Sequence, residues 1–175
     1  CGVRPGLKAE NLQQCCRGPP PSFVLGGSVI TEDTAMTPQI VTPHLVVSDA
    51  VAALDFYQQA LGAIATVRMP AQDGKRLMHA EIQIDGARIF LVDHFPEFSC
   101  GNGADSVKPP TQLGGTPITI HLEVPDCDAA IARAKAAGAT VTQEPWDAFW
   151  GARYARILDP FGHSWSFSHL LPAAS

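Results

Sequence analysis

Small polar and large apolar residues alternate strictly through SWSFSH at 164–169. That is the period of a half-buried strand, with Ser164, Ser166 and Ser168 on one face and Trp165 and Phe167 on the other. Just ahead of it, Asp159, Pro160 and Gly162 stand at the first, second and fourth positions of a turn, where each is favoured. MHAEIQI (78–84) alternates in the same way, so His79 and Glu81 share a polar face opposite Ala80, Ile82 and Ile84. Two other stretches carry the helical period: Val51, Leu54, Tyr57 and Leu61, then Ala130, Ile131, Ala134 and Ala137. Each follows an aspartate suited to capping a helix start, Asp49 or Asp126. Each runs to a glycine suited to ending it, Gly62 or Gly138.

These patterns repeat. HLVVSDAVAAL (44–54) aligns without gaps on HLEVPDCDAAI (121–131), identical at the His, Leu, Val and Asp and at two Ala. After each helix come further strands: AIATVRM and the hairpin LMHAEIQIDGARIFLVDH in the first copy, TVTQE and RYARILDPFGHSWSFSH in the second. Each copy therefore reads β-α-β-β-β. The expectation is an α+β protein with one module over 36–93, a linker over 94–116, a second module over 117–170 and a C-terminal tail over 171–175. Residues 1–35 carry Pro/Gly clusters without a period and are expected to be a tail or leader outside the fold.

Composition narrows the function. The chain has 175 residues, 46% hydrophobic, with net charge −5, which argues against a nucleic-acid partner. No apolar run approaches the roughly 20 residues that span a membrane. The five cysteines are odd in number and form no CxxC pair, the pattern of thiols in a reducing, cytoplasmic compartment.

The stretches TPHLVV, MHAEIQI, FPEF, LGGTPITIHLEV and WGARYARILDPFGHSW, in this order, resemble the vicinal-oxygen-chelate (VOC) superfamily, the glyoxalase/bleomycin-resistance/dioxygenase group, and within it the PhnB-like branch. The resemblance covers about residues 38–170. It implies paired βαβββ modules whose sheets curl into a cup for a small organic molecule, and a homodimer. Metal-using relatives take one ligand from the first and one from the last strand of each module. The resemblance puts those positions at Thr42, Phe90, Thr119 and Ser166, none of which is a His, Glu or Gln; they supply hydroxyls and a phenyl ring instead. No metal or cofactor is expected at these positions.

His44 and His121 are repeat equivalents two residues beyond Thr42 and Thr119, so alternation puts both on the cup faces, Glu123 with His121. His79 and Glu81 join them, with Arg88 beside Phe90. These groups are candidates for ligand contact or for acid–base work, with His44, His121 and Glu123 as the candidate catalytic set. Trp146, Phe149, Trp150 and Tyr154, with Arg153 or Arg156 as a charged contact, form an expected aromatic wall, which Phe95 and Phe98 could close. His163 is read as turn-bonding or packing; His94 and His169 are read as rim residues. The expected function is small-molecule binding or drug sequestration of bleomycin-resistance type. The alternative is a metal-dependent glyoxalase-type lyase, isomerase or dioxygenase with a shifted His/Glu site.

Overall fold

The computed structural model describes residues 39, 41–98 and 107–172. The expectations about residues 1–35, Cys100 and the Phe98 side chain lie outside the described residues. The elements run β1 (His44–Val47), α1 (Ala50–Leu61), β2 (Ile64–Pro70), β3 (Leu77–Ile84), β4 (Ala87–Asp93), α2 (Pro110–Leu113), β5 (Thr119–Glu123), α3 (Cys127–Ala136), β6 (Thr140–Ala148), β7 (Ala152–Leu158) and β8 (Ser164–Leu170). They form two four-stranded sheets of identical topology, β1-β4-β3-β2 and β5-β8-β7-β6, with β4-β3-β2 and β8-β7-β6 antiparallel and β1–β4 and β5–β8 parallel. This is the two-module α+β fold expected from the repeat.

Local chemistry explains the helix boundaries. Asp49 accepts from the Ala52 N–H and Asp126 from the Ala129 N–H, at 2.9 and 3.0 Å. A residue from the last strand of each module caps the same helix start. Asp93 Oδ1 accepts from the Ala50 N–H at 2.9 Å, and His169 Nδ1 accepts from the Cys127 N–H at 2.9 Å. His169 is thus a capping residue and not a rim residue. Gly62 ends α1 in the left-handed conformation, φ 70°. In α3 the cap is Ala137 in a right-handed conformation, and Gly138 takes the positive φ one residue later. The Asp85-Gly86 hairpin has positive φ at both residues, as a tight primed turn demands.

Alternation decides what each strand buries. Ala80, Ile82, Ile84, Ile89 and Leu91 from the first sheet and Ala155, Ile157, Trp165 and Phe167 from the second face the helices and join one core with the inner sides of α1 and α3. The two helices pack on each other, and Arg133 of α3 donates to the Ala60 carbonyl near the end of α1 at 2.9 Å. Val51, expected on the buried face, is 42% exposed; Ala50, Ala53, Leu54 and Tyr57 do the burying. β6 continues through Trp146 to Ala148. It absorbs Pro145 at an edge position where its register against β7 slips between Gln143 and Trp146. The segment between the modules carries a 3-10 turn at Pro96–Phe98 and the short α2.

One buried group ties the modules together. Asp159, 3% exposed, accepts from the Tyr57 hydroxyl of α1 (2.7 Å), from Trp165 Nε1 (2.9 Å) and from the Phe161 and His163 N–H groups (2.9 and 2.8 Å). The turn it opens closes as expected, with the Gly162 N–H on the Asp159 carbonyl at 3.1 Å.

Candidate functional site

The side of each sheet away from the helices carries most of the candidate site residues. On the first sheet, His44 and Phe90 are paired neighbours on β1 and β4, and Glu81 of β3 pairs with Phe90. The Phe90 ring meets the rings of His79 and His44 edge-on, with centroids 4.8 and 5.9 Å away, and the two imidazoles lie 6.4 Å apart. His79 Nε2 is 3.2 Å from Glu81 Oε1, while Arg88 sits 3.9 Å from the other Glu81 oxygen and over the Phe90 ring. Burial and, next, the neighbouring His79 push the His44 pKa below its ordinary value.

The second sheet answers what the serine face looks at. Ser166 Oγ lies 2.7 Å from His121 Nδ1, and Ser168 Oγ lies 3.1 Å from His121 Nε2. The Ser168 hydroxyl donates to Glu123 Oε2 at 3.1 Å, and Glu123 Oε1 stands 3.2 Å from His121 Nε2. Thr119 and Ser164 hydroxyls pair at 2.9 Å. The serines form a hydrogen-bonded floor that fixes the His121 ring. Beside that ring Tyr154 lies nearly parallel, 14° between planes and 6.3 Å between centroids. Trp150 meets Tyr154 edge-on at 5.7 Å, and Trp146 meets Trp150 at 5.5 Å. Trp146 and Trp150 are 36% and 51% exposed, and Phe149 at the turn is 93% exposed. The aromatic wall expected from 145–156 is assembled on this hairpin.

Arg153 does not belong to it. Its guanidinium holds Asp128 of α3 through two hydrogen bonds at 2.8 and 2.9 Å and Asp147 at 2.9 Å, and its strand partner is the helix-capping His169. The arginine on the wall's face is Arg156, paired with Ser166. Phe95 packs under the Arg76 guanidinium at 4.2 Å. His163 donates from Nε2 to the Val46 carbonyl at 3.0 Å, a packing role as expected, and His94 pairs with Gln112. The predicted site residues therefore gather as two groups, one per sheet: His44, His79, Glu81 and Phe90, and His121, Glu123, Ser166, Trp146 and Trp150.

The register equates positions across the repeat. His44 and His121 sit against Phe90 and Ser166, and Glu81 and Arg156 sit against the same two residues on the other side. The family model described as Glyoxalase/Bleomycin resistance protein/Dioxygenase superfamily matches residues 38–167. The chain belongs to this superfamily. Among relatives of this glyoxalase/bleomycin-resistance chain, the uncharacterized protein Mb0911c of Mycobacterium bovis is 50% identical over 125 residues, 71% of this chain and 79% of that protein. The crystal structure of TioX from Micromonospora sp. ML1 superposes with TM-score 0.59 and 23% identity, covering 77% of this chain and all of TioX, a likeness of fold. TnmS3, an antibiotic binding protein from Streptomyces sp. CB03234, superposes with TM-score 0.51 and 26% identity over 81% of this chain and all of TnmS3. Among the described residues of this superfamily member, no three His, Cys, Asp or Glu side chains converge to hold a metal ion, and no helix is long and apolar enough to cross a membrane.

Proposed function

We propose that the protein binds a flat aromatic small molecule on the second sheet, against the rings of His121, Tyr154, Trp150 and Trp146. The observation that carries this reading is the exposed aromatic wall rising beside a fully hydrogen-bonded Ser/His/Glu floor. Rings left open to solvent give apolar contact area, and the fixed floor gives one or two oriented polar contacts, the combination small-molecule sites use. The antibiotic binding named for TnmS3 supports sequestration as a use of this fold. The motif words favour the PhnB-like branch, and the cysteine usage favours a reducing compartment. The test is titration of intrinsic tryptophan fluorescence with a neutral hydroxyanthraquinone. Saturable quenching is expected, with affinity about tenfold weaker in Trp150→Ala, as loss of one stacking contact implies. Equal affinity in wild type and variant would overturn the reading.

The reading is metal-free. Thr42, Phe90, Thr119 and Ser166 offer no nitrogen, carboxylate or thiolate donor, and Ser166 is already engaged by His121. Elemental analysis of protein purified without chelator measures this, and a stoichiometric transition metal would instead support the lyase, isomerase or dioxygenase alternative.

A further inference from the structure

We infer that the seam between the two modules is a second ligand site, separate from the aromatic wall, and that it takes a small organic carboxylate with an apolar body. A cavity of about 500 Å³ opens where β1, α2 and the start of β5 meet. That volume suits a ring system or a short chain. Val41, Leu45, Leu113, Ile118 and Ile120 make its walls apolar.

The ionisable side chains along it are Lys108, His44 and His163; no aspartate or glutamate of the described residues lines it. That is unusual for a chain with 17 acidic and 12 basic residues. Among the described residues no hydrogen bond or ion pair occupies the Lys108 ammonium, whereas Arg76, Arg88 and Arg153 all have carboxylate partners. The paired hydroxyls of Thr119 and Ser164 line the same cavity and add polar contacts. A carboxylate held by Lys108 would neutralise a cation set against apolar wall, and the ligand's body would cover that wall.

The cavity is built, because its α2 wall is pinned. Gly162 has φ 87°, and a Cβ there would stand 3.0 Å from Pro110 Cβ and 3.2 Å from the Thr111 nitrogen. The turn after β7 thus lies directly against α2, and His163, next along the turn, is held to Val46 on the opposite side of the seam. None of the wall residues Trp146, Trp150 and Tyr154 lines this cavity, which shares only the Thr119–Ser164 pair with the floor described above, so a change in the wall tests the two sites apart.

The experiment is calorimetric titration of the full chain with 2-naphthoate and with neutral 2-naphthamide. Naphthoate is expected to bind about tenfold tighter, the value of one charge-assisted contact. Lys108→Gln should erase that preference while leaving naphthamide affinity unchanged. Ile118→Glu, at a residue 68% exposed, should abolish the preference for naphthoate over naphthamide without unfolding the chain. Trp150→Ala should leave that preference intact. Absence of saturable binding, equal affinity for both probes, indifference to Lys108→Gln, or loss of the preference on Trp150→Ala with none on Ile118→Glu would each overturn the proposal.

Discussion

Asp159 shows how much one residue can hold. Four donors converge on its buried carboxyl, one of them, Tyr57, from the other module. Removing the acceptor leaves buried donors without partners, so Asp159→Ala should cost roughly 3–5 kcal/mol and Tyr57→Phe roughly 1–2 kcal/mol in urea unfolding. The same pair sets an alkaline limit. Burial, and then the neighbouring Asp159, raises the Tyr57 pKa well above its ordinary value of 10.0. A raised folded-state value means the stabilisation is complete below pH 10 and is lost as pH climbs above it, because only the unfolded chain readily gives up the proton. Stability measured from pH 9 upward should fall in wild type and fall less steeply in Tyr57→Phe; parallel curves would refute the assignment. From the sequence, Asp159 was legible only as the first residue of a turn, since local patterning carries no sign of a partner 102 positions away. The arginines illustrate a second limit. Arg153 and Arg156 stand on opposite faces of β7, and only the strand's phase relative to Tyr154 separates a wall residue from an α3 anchor.

At the scale of the element, alternation was the most informative signal. β3 and β8 bury what their period says they bury, and both aspartate caps stand where they were expected. Trp165 is fully buried against the helices; Trp165→Ala should destabilise by roughly 3–5 kcal/mol, read by thermal or urea unfolding. A loss under 1 kcal/mol would mean that the helix side of the sheet is not packed as described. What alternation cannot show is how covered the opposite face is. Ser166 looks inward toward His121 and is itself only 3% exposed, so in the proposed site it would belong to the floor rather than to the mouth. Irregular strands were also illegible in detail, because a proline-bearing edge strand such as β6 breaks its own period at the register slip.

At the scale of the whole molecule, the repeat was readable because its strand-to-helix motif matches without gaps at the His, Leu, Val and Asp and at two Ala, and that motif led to the fold. The homodimer is an expectation from the family resemblance alone, since no single chain's pattern shows what lies over a sheet face. On the two candidate faces the equivalent positions carry opposite charge, Glu81 on the first and Arg156 on the second. A second copy laying its second sheet over the first sheet of this one would bring those charges together twice by symmetry. The expected outcome of light scattering at micromolar concentration is a dimer mass; a monomer mass would contradict this assembly. The link from Tyr57 to Asp159 has a consequence in time as well as in space. A chain made from its N-terminus must wait for about 100 further residues after Tyr57, roughly 5–20 s of synthesis, before the acceptor exists. Throughout that interval the first module has its own hairpins, but the side of α1 that belongs against Phe161 and Trp165 has nothing to cover it. The newborn first half therefore carries an apolar face that the finished protein covers, and the time it spends uncovered is set by how quickly the second half follows.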